Sequence, residues 1–186
     1  DLPPQVFETE GLWVEVPDRV REQTEAARLH FMGGIHAMEH ALIGLMPLVV
    51  LCDRGDLGGI SHPWHEQAGS AAVFVYDGYT GGMGLTARAF ACIRALLDQT
   101  RQAVAACGCE LGCPSCVHSP RCGSGNRPID KEACLFVLDR LSTGGPPATR
   151  PRTVTATTAP RTAAPASAGT AKQPVSTGEP GLPARY

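Results

Sequence analysis

Two features of membrane and exported proteins are missing from this 186-residue sequence. No stretch reaches the roughly 18 uninterrupted apolar residues that a membrane-spanning helix needs, because the longest candidate, residues 41–51, runs directly into Cys52, Asp53 and Arg54. The chain begins at Asp1, with neither an initiator methionine nor the basic and apolar regions of a signal peptide. We therefore expect a soluble, cytoplasmic protein without membrane contact, and we expect this chain to be a fragment of a longer one.

Basic residues are scarce in most of the chain. Of the 16 basic and 18 acidic residues, five basic and one acidic lie after Leu141, so residues 1–141 hold 11 basic and 17 acidic residues, a net charge of −6. Nonspecific affinity for nucleic acids comes from lysine and arginine displacing counterions. The composition therefore argues against a domain that binds nucleic acid by itself, and any such role must be local or supplied by a partner.

Large apolar residues are nearly absent from the last part of the chain. Residues 142–186 contain eight of the 16 prolines and, beyond two valines, one leucine and one tyrosine, no large apolar side chain. Such a segment buries too little surface to offset the entropy lost on ordering. We predict that residues 142–186 form a disordered tail.

Hydrophobic patterning in the remaining residues predicts an α+β domain that is mainly helical, with a few short strands and a cysteine-rich loop. We divide the chain into a partial N-terminal connection (1–30), the domain itself (31–141) and the tail (142–186). The predicted strands cover residues 12–16 and 72–76, a loop covers 52–67, and the predicted helices cover 18–29, 30–51 with a break near Pro47, 85–106, and 131–141 with Asp130 as N-cap.

Five of the eight cysteines lie close together between positions 107 and 122, in the run CGCELGCPSCVHSPRC. They are too close to staple distant parts of a domain as disulfides. Tetrahedral zinc, with Zn–S bonds of about 2.3 Å, needs sulfurs roughly 3.7 Å apart, and short C-x-C and C-x2-C turns supply this spacing. The run therefore predicts a structural metal site without an open coordination position.

Five thiols compete for four coordination positions. We favour Cys107, Cys109, Cys113 and Cys116, which form two adjacent chelating pairs, while the alternative set replaces Cys107 with Cys122. An iron–sulfur cluster, which is also held by four thiolates, is a second possibility for the same residues, and a loop of reduced cysteines without metal is a third.

A second pattern, His36-Ala-Met-Glu39-His40, formally matches the H-x-x-E-H of inverted zinc peptidases. A metallohydrolase using His36, Glu39 and His40 is therefore the rival function. Such a site needs a third ligand, for which Asp53, Asp56, His62, His65 or Asp77 could be proposed, although none stands at a recognisable spacing. The simpler interpretation is that the three side chains hydrogen-bond neighbouring loops from a buried helix.

Several ordered segments together resemble a known family. GGIHAMEHALIGLMPL, CDRGDLGG, VYDGYTGGMGL, the cysteine run and NRPIDKEA, which lie in this order between residues 31 and 141, are similar to the C-terminal zinc-binding domain of DEAD/DEAH-box DNA helicases of the mitomycin repair factor A (MrfA) type. The segment after Leu141 lies outside the resemblance.

The resemblance implies a superfamily 2 motor that uses ATP to translocate 3′ to 5′ on single-stranded DNA in DNA repair, with this domain at its end. It also implies one structural zinc held by the cysteine run. The sequence contains no G-x-x-x-x-G-K-[ST] and no D-E-x-H motif. We therefore expect no enzyme activity from the chain alone. ATP and Mg would be bound only by motor lobes outside this chain. Those motor lobes would be its partners, together with single-stranded DNA bound through the parent protein.

Overall fold

The computed structural model describes residues 5–143 and 152–158, and these form the α+β fold that the patterning predicts. Strands β1 to β4 cover Gln5–Val16, Leu57–His65, Ser70–Asp77 and Arg152–Thr158. Helices α1 to α5 cover Asp18–Ala26, Phe31–Leu45, Leu85–Ala91, Ile93–Ala106 and Lys131–Thr143, and short 3-10 turns cover Met46–Leu48 and Arg54–Asp56.

The strands of the described residues form one antiparallel sheet in the order β2-β3-β1-β4. Leu12 pairs with Val75 and Val14 with Val73, so these four side chains share one face of the sheet, where they are fully buried. Helix α2 packs against this face. Gly59 of β2 pairs with Val75, and a Cβ added at Gly59 would lie 2.7 Å from the side chain of Ile43 in α2. The core therefore lies between the sheet and α2.

Helix α2 is held at its start by two polar side chains. The Gly33 N–H donates to Nδ1 of His30 (2.9 Å), which makes His30 the N-cap of this helix. Asp130 caps α5 as predicted, since its Oδ1 accepts from the Ala133 N–H (2.8 Å), and its Oδ2 accepts from the His30 N–H (2.9 Å). One carboxylate thus joins the N-termini of α2 and α5.

The structure corrects the predicted loop over residues 52–67, which contains β2. Glycine and proline in CDRGDLGGISHPWHEQ suggest a loop, but the strand is at the edge of the sheet, where proline is tolerated. The register slips between His62 and His65, on either side of Pro63. Pairing with β3, which no local pattern reveals, makes this segment a strand.

The predicted helix over residues 85–106 is two helices, because Cys92 leaves the helical conformation with φ −122° and separates α3 from α4. Strand β1 is also longer than predicted. Its first half, residues 5–11, pairs with β4.

Strand β4 contradicts the prediction that all of residues 142–186 are disordered. Residues 142 and 143 end α5. Arg152–Thr158 is a strand that pairs with β1, with Val154 opposite Thr9. Alternation of threonine with valine and alanine suits a strand, but a partner strand is needed to form it. The rest of the predicted tail, residues 144–151 and 159–186, lies outside the described residues.

Alanine at Gly34 should destabilise the fold, whereas alanine at Gly44 in the same helix should not. A Cβ at Gly34 would lie 2.7 Å from the Ala133 Cβ and 2.9 Å from the Ala133 carbonyl carbon, and such overpacking costs about 1–3 kcal/mol. At Gly44 the nearest atom is 3.5 Å away, at the end of the flexible Arg54 side chain, so Gly44→Ala should gain about 0.5–1 kcal/mol. Urea unfolding of both variants measures the difference, and equal effects would contradict this packing.

Candidate metal centre

The cysteine run begins where α4 ends and turns back on itself at Cys113. The Cys116 N–H donates to the Cys113 carbonyl (3.0 Å), and the Cys113 N–H lies 3.3 Å from the Cys116 sulfur. Gly112 precedes this turn with φ +108°, and a Cβ there would lie 2.5 Å from a methyl carbon of Val117. The turn therefore needs glycine at this position, as the pattern suggests.

The turn brings four sulfurs together. Cys107 Sγ lies 3.6 Å from Cys109 Sγ and 3.5 Å from Cys113 Sγ, while Cys116 Sγ lies 3.4 Å from Cys109 Sγ and 3.7 Å from Cys113 Sγ. All four sulfurs lie within 4.8 Å of one another. The separations match the roughly 3.7 Å expected for sulfurs around tetrahedral zinc, so these side chains fit the ion.

Two of these thiols have perturbed acidities. A hydrogen bond from the Ser115 backbone lowers the pKa of Cys113 to about 7. Burial raises the pKa of Cys116 to about 12. Since the thiolate is the form that binds metals, Cys113 is the thiol that ionises more readily of the two.

Lys131, the first residue of α5, fastens this segment to the helical core. Its Nζ donates to the carbonyl oxygens of Cys107 and Cys109, both at 2.6 Å, and the side chain is buried. The ammonium group thus reaches the backbone between two of the clustered thiols. Reasoning from the sequence places the zinc loop against the final helix but missed this residue, because no local pattern links a lysine at the start of a helix to the backbone of the cysteine run.

Cys122 lies apart from the four sulfurs. Its Sγ is 3.3 Å from Nε2 of His36 on α2, and these two side chains form a second group with His40 in which the potential ligand atoms lie within 4.8 Å of one another. Burial lowers the pKa of His40 to about 4, so its imidazole is neutral. The fold thus places Cys122 in a different group of side chains from Cys109, Cys113 and Cys116, and it does not bring together the alternative set in which Cys122 replaces Cys107.

Glu39 lies beside the two histidines on α2, but its side chain contacts a different part of the structure. Its Cγ lies 3.0 Å from the position of a Cβ at Gly59, and its carboxyl group hydrogen-bonds Ser61, also in β2. Burial raises the pKa of Glu39 to about 7 despite that hydrogen bond. The glutamate therefore packs on the sheet while the histidines face the cysteine run, and the arrangement does not favour the metallohydrolase.

Asp77, one of the third ligands considered for a hydrolase, serves as a helix cap. Its carboxylate accepts three backbone N–H groups, from Met83 (2.6 Å), Leu85 (3.1 Å) and Thr86 (2.9 Å), and is fully buried. It thus holds the glycine-rich segment 78–84 against the start of α3.

The other third ligands considered are engaged elsewhere. Asp53 and Asp56 cap each other's backbone in the 3-10 turn, and the rings of His62 and His65 pack against Phe74. Among the residues that the structure describes, none of these side chains joins a group of potential metal ligands.

Comparison with known proteins gives this arrangement a family. The sequence profile of the MrfA Zn-binding domain matches residues 38–117. An uncharacterized protein of Methanocaldococcus jannaschii is 32% identical over 110 residues, which are 58% of this chain and 98% of that protein. The chain belongs to the MrfA Zn-binding domain family.

Larger relatives of the MrfA Zn-binding domain are helicases. The uncharacterized ATP-dependent helicase YprA of Bacillus subtilis is 28% identical over 142 residues, and the crystal structure of the DUF1998 helicase MrfA bound to DNA matches with a TM-score of 0.55 and 26% identity. Each match covers 76% of this chain, but the chain spans only 18% of YprA and 18% of the MrfA chain.

In the part of the chain that the structure describes, no helix combines the length and the apolar character that a membrane span requires.

Replacing Lys131 with methionine should weaken metal binding although all five clustered thiols remain. Methionine replaces the aliphatic part of the lysine side chain but leaves the carbonyls of Cys107 and Cys109 without their donor, and loss of such outer contacts typically costs about 10-fold or more in metal affinity. Competition with a chromogenic chelator measures the affinity. Lys131→Arg, which retains donors, should lose less, and unchanged affinity in Lys131→Met would contradict this role.

Proposed function

We propose that this chain is the structural zinc-binding C-terminal domain of an ATP-dependent superfamily 2 DNA helicase that translocates 3′ to 5′ in DNA repair. The observation that carries the proposal is the match of both sequence and fold to one segment of MrfA, a helicase whose crystal structure contains DNA. The similarity to YprA over the same share of the chain supports it.

Cys107, Cys109, Cys113 and Cys116 are the zinc ligands in this proposal. Four sulfurs occupy all four coordination positions of a tetrahedral zinc ion, so no position remains for a substrate or a reactive water. The ion would contribute folding energy instead of chemistry. It would fix the conformation of the segment after α4, whose backbone carbonyls accept hydrogen bonds from Lys131 of α5.

The helicase activity itself would come from motor lobes in the parent protein, which would bind ATP and Mg. The net charge of −6 over residues 1–141 suits docking on a basic protein surface better than direct contact with phosphates. The chain would then act on single-stranded DNA only through those lobes, in the cytoplasm, with no enzyme activity of its own.

Removing zinc should lower the thermal stability of the domain. Each kcal/mol lost lowers the Tm of a chain of this size by about 2–4 °C, and structural zinc is worth several kcal/mol, so Cys113→Ser/Cys116→Ser should lower Tm by about 10 °C or more. Cys92 lies outside the cluster, and Cys92→Ser should change Tm little. Differential scanning calorimetry with elemental analysis tests both, and a double variant that binds as much zinc as the unmodified chain and has the same Tm would contradict the ligand set.

A chimera tests the helicase role. The matching segment of YprA is replaced by this chain, and DNA-stimulated ATP hydrolysis and unwinding are compared with those of YprA and of a chimera carrying Cys113→Ser/Cys116→Ser. We expect activity in the first chimera, little in the second, and neither ATP hydrolysis nor tight binding of single-stranded DNA by the chain alone. A zinc-loaded, folded chimera without unwinding, or ATP hydrolysis by the chain alone, would contradict the proposal.

A further inference from the structure

A second group of metal-binding side chains lies between α2 and the segment that follows the four-cysteine centre. His36 and His40 are one helical turn apart with ring centroids 4.4 Å from each other, and Cys122 faces them from the other side. The potential ligand atoms of the three residues lie within 4.8 Å of one another. Cys122 also lies beyond residues 38–117, where the family profile matches.

Both histidines are oriented for metal binding by their other ring nitrogen. His36 Nδ1 lies 2.8 Å from the Pro128 carbonyl oxygen, and His40 Nδ1 lies 2.8 Å from the Val117 carbonyl oxygen. A carbonyl oxygen only accepts hydrogen bonds, so each Nδ1 carries a proton and Nε2 is the ring nitrogen left to bind a metal. Histidine ligands of metals are commonly held by this kind of hydrogen bond.

The thiol of Cys122 is held in the same manner as a sulfur of the first centre. The Asn126 N–H donates to Cys122 Sγ at 3.2 Å, just as the Cys113 N–H lies 3.3 Å from Cys116 Sγ, and the Ser124 hydroxyl lies 3.2 Å from the Cys122 sulfur. A simple thiol-to-imidazole hydrogen bond would explain His36, but not a second imidazole oriented alongside it.

We propose that His36, His40 and Cys122 bind a second zinc-type divalent cation, separate from the four-cysteine centre. Two imidazole nitrogens and one thiolate are a donor set that suits zinc. The ion would fasten the segment 122–128 to α2, and solvent would complete its coordination. Glu39 hydrogen-bonds Ser61 of β2 and is not among the three potential ligands, and we propose the site as a structural one. The proposal does not depend on the helicase role.

Metal stoichiometry tests the second site. The full chain, freed of metal under reducing conditions, is equilibrated with excess Zn²⁺, separated from free ion and analysed by elemental mass spectrometry. We expect two zinc ions per chain in the unmodified protein and in Cys92→Ala, and one in Cys122→Ala and in His36→Gln/His40→Gln. One zinc in the unmodified chain, or two in Cys122→Ala, would overturn the proposal.

Cobalt substitution keeps the test decisive if a variant folds poorly. Co²⁺ bound by one thiolate and two imidazoles adds a weak sulfur-to-cobalt absorption band to the strong band of a four-thiolate site, so the spectrum of the unmodified chain minus that of Cys122→Ala should show the weak band. A flat difference spectrum would overturn the second site. Failure of the first centre would instead appear as retention of the strong band in Cys113→Ser/Cys116→Ser, which distinguishes the two outcomes.

Discussion

The close approach of α2 and α5 is the contact on which the rest of the domain depends. Gly34 lets the two helices come near enough that a Cβ there would lie 2.7 Å from Ala133, and Asp130 accepts hydrogen bonds at the starts of both helices. Because α5 begins at this contact, Lys131 reaches the backbone of the cysteine run. Helix packing therefore decides where the metal-binding segment lies.

Helix α2 connects the remaining parts of the structure through different faces. Its apolar residues Ile35, Met38 and Leu42 are fully buried in the core, Glu39 contacts β2, and the two histidines face the cysteine run. A helix that is buried on nearly all sides needs a partner for every polar group that it carries. This requirement accounts for the H-x-x-E-H spacing without a peptidase site, since each of the three side chains has a hydrogen-bond partner in a neighbouring segment.

Local patterns predicted much of the domain. The four clustered cysteines, the cap at Asp130, α1, most of α2 and the central residues of β1 and β3 follow from spacing over a few residues, because turns and helices are stabilised by neighbours in the chain. Patterning was wrong for β2, β4 and the break at Cys92. A strand at a sheet edge and a tail segment become strands only through pairing with distant residues, and that pairing leaves little trace in composition.

The sequence by itself determined the α+β class, the family resemblance and the four-sulfur spacing, since the cysteines that form it lie within ten residues of one another. Only the tertiary structure decided that Cys122 leaves that group for His36, 86 residues away, and that Lys131 approaches Cys107 across 24 residues. It also separated Glu39 from the histidines beside it in the sequence. The physical reason is that short turns bring nearby thiols together without help, whereas contacts between distant residues depend on how the helices and the sheet pack.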